Sequence, residues 1–154
     1  MRRAQGLMNS NQLIIAIVFA FILSSCGSTS ESEIAKVGIH VTPDDGYAYC
    51  EFMADGSAEG GHASGGPEPF VHINQEKLSQ EKINEIWAAA GAIDTQVYPL
   101  ETSALRECVG CVDLFIYYVD GKVLHLSWPF GERHPDRKVQ ELEALLYEYN
   151  VGGW

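Results

Sequence analysis

The stretch from Val112 to Trp128 restricts the fold of this chain more than any other. Val112–Val119 and Lys122–Trp128 are rich in β-branched and aromatic residues, and Asp120-Gly121 stands between them. Glycine accepts positive φ freely and aspartate more readily than most residues, so a two-residue type I′ turn fits there and predicts a β-hairpin. With that loop Phe115 falls opposite Leu126, and Tyr117 opposite Leu124. One face then carries Phe115, Tyr117, Leu124, Leu126 and Trp128, and the other Leu114, Ile116, Tyr118, Val123 and His125. Both faces are apolar, which predicts a hairpin central in a sheet or partly covered on both sides.

Further strands are predicted at Ile34–Val41, at Tyr47–Ala54 and, briefly, at Phe70–Ile73. Turns fall at Pro43-Asp44-Asp45-Gly46 and Asp55-Gly56. Between them, Ser57–Pro69 holds Gly60, Gly61, Gly65, Gly66, Pro67 and Pro69 and almost no apolar side chain, which predicts a mobile loop. A helix should begin after Ser79, a good N-cap, with Leu78 and Ile83 at the two positions of a hydrophobic staple. Ile83, Ile86, Trp87 and Ala90 form one stripe, and Gly91 stands where a helix stops. Ala92–Arg106 has no clear period and reads as a connection. A second helix is predicted from Asp136 to about Tyr149, burying Val139, Leu142, Leu146 and Tyr149. The expected fold class is α+β, an antiparallel sheet with two helices packed on one face. The similar placement of Asp55-Gly56 and Asp120-Gly121 hints at two β-β-α halves, although the flanking side chains barely correspond.

The amino terminus is of another kind. Arg2 and Arg3 precede an unbroken apolar run from Leu13 to Leu23. As a helix that run reaches only about 16 Å, roughly half a bilayer core, which predicts an export signal rather than a spanning helix. Leu23-Ser24-Ser25-Cys26 then resembles the lipobox of bacterial lipoprotein precursors. That resemblance implies a diacylglyceryl group on the Cys26 thiol, cleavage after Ser25 and acylation of the new amino terminus, palmitate being a typical chain. Two or three acyl chains at about 0.8 kcal/mol per buried methylene hold a protein at a membrane. Gly27, where an aspartate would resemble the inner-membrane retention signal, favours the outer membrane of a Gram-negative envelope, facing the periplasm. The expected organisation is a signal peptide at 1–25, a lipidated cysteine and flexible serine-rich tether at 26–33, and one domain at 34–154.

Arg2 and Arg3 go with the leader, leaving eight basic against 21 acidic residues, a formal charge of −13. That balance excludes nucleic acid as a partner and suits either a basic partner or a solvated acidic surface. Three further cysteines, Cys50, Cys108 and Cys111, would meet oxidising conditions after export. The expected bridge joins Cys50 to Cys108 or Cys111 and leaves one thiol. Cys108-Val109-Gly110-Cys111 itself admits three readings, a disulfide-containing loop, a redox pair or half a metal site. It precedes a strand instead of opening a helix, so a dipole-lowered thiol pKa is missing, and no second ligand pair completes a zinc site. The five histidines are scattered singly, and Ala63-Ser64-Gly65 lacks the strand–turn–helix setting of a nucleophile elbow. No enzyme, metal or cofactor is predicted.

Asp113-x-Phe115-x-Tyr117, Asp120-Gly121, the alternation through Val123, His125 and Trp128, and the final leucine-rich helix resemble small bacterial proteins of the emfourin type. Similarity extends weakly back through Gly65-Gly66 and Leu78–Ile93. That resemblance implies an inhibitor of thermolysin-like metalloproteases, hence an extracytoplasmic protease as partner, and assigns no inhibitory residue. The cysteines, the lipid anchor and the glycine-rich stretch depart from the family pattern. The expected function is a non-catalytic binding module held at the cell envelope through Cys26. The alternatives are a structural or assembly role there, or thiol redox or metal-binding chemistry.

Overall fold

Where apolar side chains alternate, the chain pairs into a sheet. The computed structural model describes residues 33–43, 46–64, 71–102 and 108–153. The strands are β1 (Ile34–Thr42), β2 (Gly46–Met53), β3 (Ser57–Ser64), β4 (Val71–Lys77), β5 (Cys111–Tyr118) and β6 (Val123–Pro129), with helices α1 (Gln80–Gly91) and α2 (Arg137–Glu148). They form a six-stranded antiparallel sheet ordered β4-β3-β2-β1-β5-β6. The predicted leader, Cys26, nearly all of the tether and residues 65–70 lie outside the described residues.

Val37, Ile39 and Val41 of β1 share one face with Cys50 and Phe52 of β2, Leu114 and Ile116 of β5, and Leu124 and Leu126 of β6. Ile83, Ile86 and Ala90 of α1 and Val139, Leu142 and Leu146 of α2 close over this face as one core. The fold class is therefore α+β, with the helices on one side of an antiparallel sheet. Both helices start where the sequence places them. Ser79 Oγ lies 3.5 Å from Lys82 N, and the staple residues Leu78 and Ile83 are both buried. Asp136 Oδ1 accepts from Lys138 N at 2.8 Å, satisfying a first-turn donor.

The β5–β6 register differs from the sequence reading. Phe115 lies opposite His125 and Tyr117 opposite Val123, while Leu114 pairs with Leu126 and Ile116 with Leu124. The loop has three residues, Val119-Asp120-Gly121. Gly121 N donates to Tyr118 O at 3.0 Å and Tyr118 N to Lys122 O at 2.9 Å, and Gly121 takes φ +86°. This is a type I turn followed by a left-handed glycine. One extra loop residue shifts the pairing by one and exchanges the faces of β6 relative to β5. Leucines then meet leucines, and the second face becomes polar and aromatic. Ala54-Asp55-Gly56 joins β2 to β3 by the same device, with Gly56 N donating to Met53 O at 3.0 Å.

The glycine-rich stretch is also corrected: its first part, Ser57–Ser64, is strand β3, paired on both sides. Its glycines serve close approach rather than mobility. A Cβ at Gly60 would stand 2.6 Å from Gly152 N, and one at Gly61 2.9 Å from the Tyr49 ring. The segment after α2 folds back over β3, and Gly152 N is held by Asn150 Oδ1 at 2.6 Å.

Candidate functional site

The register that buries the leucines sends a different set of side chains to the opposite face. Across the sheet, His40 is flanked by Tyr49 and Asp113, Gly38 by Glu51 and Phe115, and Lys36 by Met53 and Tyr117. Gly38 leaves the middle of this face low, because a Cβ there would already touch Glu51 Cγ at 3.3 Å. Side chains from both neighbouring strands close over the gap.

Lys36 Nζ bonds Glu51 Oε1 at 2.9 Å and lies 4.2 Å from the centre of the Tyr117 ring, a cation–π contact. His40 Nε2 approaches Glu51 Oε1 at 3.5 Å, and its Nδ1 lies 3.1 Å from the Tyr47 hydroxyl. His40 and the Lys36 ammonium hold the Glu51 carboxyl below the usual carboxylate range, against the opposing effect of burial. The His40 contact is too long for a good hydrogen bond, and Nε2 is buried with no hydrogen-bond partner among the described residues. Lys36 is therefore the firmer partner of Glu51.

Next to this group, His125 Nε2 and Asp113 Oδ1 are 2.7 Å apart, and Asp113 is only 3% exposed. Phe115 stacks on His125 at 4.7 Å, and His40 meets the Phe115 ring edge-on at 4.8 Å. Towards β3, Tyr49 donates to Glu59 Oε1 at 2.9 Å and Gln75 to Glu59 Oε2 at 2.7 Å. Burial and the Glu59 carboxylate push the Tyr49 hydroxyl up to about 12, so it stays a donor at any physiological pH. The face thus holds the part-exposed Glu51 and Glu59 carboxylates, an ammonium, two imidazoles and tyrosine rings in fixed positions over Asp113 and Phe115, which are buried. Among the described residues, no hydroxyl or thiol other than that of Tyr47 bonds either histidine, and no three acidic, histidine or cysteine side chains group as for a metal.

The cysteines pair differently from the expectation. Cys108 is bridged to Cys111, and Cys50 is a buried free thiol on the core side of β2. The strand alternation explains this: Cys111 shares the open face of β5 with Asp113, whereas Cys50 points to the core, so the two are on opposite sides of the sheet. Burial pushes the Cys50 thiol up to about 11, which leaves little thiolate at neutral pH. The Cys108–Cys111 turn leads into β5. Gly110 takes φ +77° there; its N–H donates to Thr42 O at 2.7 Å and its carbonyl accepts from Phe130 N at 2.8 Å. The described residues of the native protein should therefore expose no reactive thiol. Denatured, unreduced protein should yield a labelled domain peptide containing Cys50, whereas mass-spectrometric labelling of Cys108 or Cys111 would contradict this pairing. Closing a four-residue loop contributes about 2 kcal/mol in the chain-entropy model, against about 4 kcal/mol for a Cys50 cross-link of about 60 residues, so reduction should lower the melting temperature modestly.

A second aromatic cluster lies beside the first turn of α2. Trp128 and His134 meet at 5.2 Å, Tyr98 donates to Asp136 Oδ2 at 3.0 Å, and Gln140 donates to His134 O at 2.6 Å. Burial holds the His134 pKa below the ordinary histidine value, against the opposing pull of Asp136. The neutral ring is the folded form. Its contribution is complete above about pH 6.5, the unfolded value, and is lost as pH falls through the lowered folded one. Melting curves between pH 7.5 and 5 should fall more steeply for the native protein than for His134→Gln; parallel curves would remove His134 as the cause.

The polar open face was not anticipated as a unit. A signal for it exists in the alternation of Lys36-x-Gly38-x-His40, Tyr47-x-Tyr49-x-Glu51 and Asp113-x-Phe115-x-Tyr117. Stacking those triplets needs the strand order, which no single segment supplies. No protein-family model and no curated protein matches the chain, so the functional reading rests on the site and on the motifs quoted above.

Proposed function

We propose that this is a bacterial lipoprotein, anchored at the cell envelope through Cys26, whose α+β domain is a non-catalytic binding module. The observation that carries the binding role is the sheet face opposite the helices, where the part-exposed Lys36, His40, Tyr49, Glu51 and Tyr117 are held by one another, and by the buried Phe115 and Asp113 beneath them, before any partner arrives. Side chains already fixed lose less conformational entropy on binding, which favours a specific protein surface as the partner. Such a partner must offer a group for the Lys36–Glu51 pair and apolar surface for the rings. The emfourin resemblance suggests an extracytoplasmic protease, bound without being cleaved.

The binding role is tested by cross-linking the full-length protein in its native envelope. Lys36→Glu and Tyr117→Ser should each reduce capture of a specific partner at least about tenfold. Glu141→Lys, on the exposed side of α2, should not. Capture unaffected by both face variants would reject the open face as the interface.

The anchor has a separate test. Metabolic labelling with a fatty-acid analogue should mark the native chain, and Cys26→Ala should carry no label and accumulate as precursor or as a released form. Label retained by Cys26→Ala would overturn the lipobox reading.

A further inference from the structure

The two edges of the sheet are treated differently. On the β6 side, Glu101 bridges Val123, with Glu101 N donating to Val123 O at 2.7 Å and Val123 N to Glu101 O at 2.9 Å, and Pro129 ends the strand. Both are recognised means of blunting an edge. Among the described residues the β4 edge has neither. Six of its seven residues are exposed, including Val71 at 63% and Ile73 at 55%, and no proline or bulge interrupts its pairing with β3.

Hydrogen-bonding valence identifies what this edge offers. Leu78 N donates to Gly56 O at 2.9 Å, in register with the β3–β4 ladder, where Ala58 faces Glu76 and Gly60 faces Asn74. In an antiparallel ladder only alternate residues turn their peptide groups towards the neighbour. The main chains of His72, Asn74 and Glu76 therefore face β3. Those of Val71, Ile73, Gln75 and Lys77 face away from the sheet.

We propose that β4 is a homodimer interface, pairing antiparallel with β4 of a second copy about a two-fold axis at Asn74, so that two sheets continue as one. In this register Ile73 meets Gln75 of the partner copy and Val71 meets Lys77, all with outward-facing peptide groups. On the helix side, His72 lies opposite Glu76. Every charged residue of the strand faces an uncharged or complementary one, and no like charges are opposed. Residue i meets j and j meets i, as an isologous two-fold contact requires. The helices leave room for the second copy, because both pack over β1, which β3 and β2 separate from β4. The open faces of the two copies would become continuous. The dimer itself follows from the edge alone and does not rest on the proposed binding role.

Asn74 tests this directly, since it would face its own counterpart at a non-hydrogen-bonded position, where paired side chains are close enough for a disulfide. Full-length Asn74→Cys should form a disulfide-linked dimer under oxidising conditions, at least about tenfold more than Ala144→Cys, which lies on exposed α2 surface. Adding Ile73→Pro removes one outward-facing N–H and leaves the β3 ladder its donors, so it should abolish the cross-link. Cross-linking no greater than that of Ala144→Cys, or unchanged by Ile73→Pro, would overturn the proposal. Sedimentation of the purified full-length protein needs no new cysteine. The native chain should show a concentration-dependent dimer and Ile73→Pro a monomer, and a native monomer at every concentration would also overturn it.

Discussion

Gly60→Ala is expected to destabilise the domain by about 1–3 kcal/mol, the range for forcing extra volume into a packed site. The sign is informative. In a strand interior alanine ordinarily gains about 0.5–1 kcal/mol over glycine, because glycine loses more backbone freedom on folding. Here the new methyl would stand 2.6 Å from Gly152 N and 2.9 Å from Gly152 Cα. Those are backbone atoms, which cannot rotate aside as a flexible side chain could. Denaturant unfolding should therefore show a lower midpoint with an unchanged slope. A chain ending at Val151 loses both Gly152 backbone contacts and keeps only the 3.1 Å approach to the Val151 Cγ2 methyl, a side-chain atom, so in that background the cost of Gly60→Ala should be clearly smaller. An equal loss in both backgrounds would mean that the collision is not the cause. Replacing residues 58–66 with a short Gly-Ser link, harmless if the stretch were a loop, should abolish cooperative unfolding, because it deletes the strand between β2 and β4.

The second large effect is expected at the Asp113–His125 pair. His125→Ala leaves a carboxyl that is only 3% exposed without the partner it now meets at 2.7 Å, and it removes the ring stacked on Phe115. Leaving a buried polar group unsatisfied costs about 1–3 kcal/mol, more for a charged one, and the lost ring packing adds to it. A loss of about 2–4 kcal/mol is expected. The double replacement Asp113→Ala/His125→Ala should lose less than the sum of the single losses, because the orphaned carboxyl goes too. Strict additivity would show that the two side chains do not act as a pair.

Residues whose signals are local were legible in the sequence. Ser79 and Asp136 cap helices wherever the rest of the chain goes, and the 3.6-residue stripes of α1 and α2 find the core because any sheet supplies one. Elements defined by their neighbours were not legible. Asp120-Gly121 is compatible with a two- or a three-residue loop, and that single residue decides whether Phe115 or Leu114 faces the core. Gly60 and Gly61 read as mobility until Gly152 and the Tyr49 ring are placed against them. Cys50 reads as a bridge partner until strand alternation puts it on the core side, away from Cys111. The open face failed to emerge for the same reason: its rows cross β2, β1 and β5, which are far apart along the chain.

One feature of the topology bears on mechanics. The chain enters the sheet through β1, which is hydrogen-bonded along its length to β2 on one side and to β5 on the other. In a protein held by its amino terminus, any pull from a bound partner would arrive at this central strand. An edge strand can be unzipped one hydrogen bond at a time, but β1 can leave only by sliding against two ladders together. Were the chain anchored through Cys26 as proposed, resistance to such a pull would be concentrated in β1, while β4, at the far edge of the sheet, would bear none of that first tension.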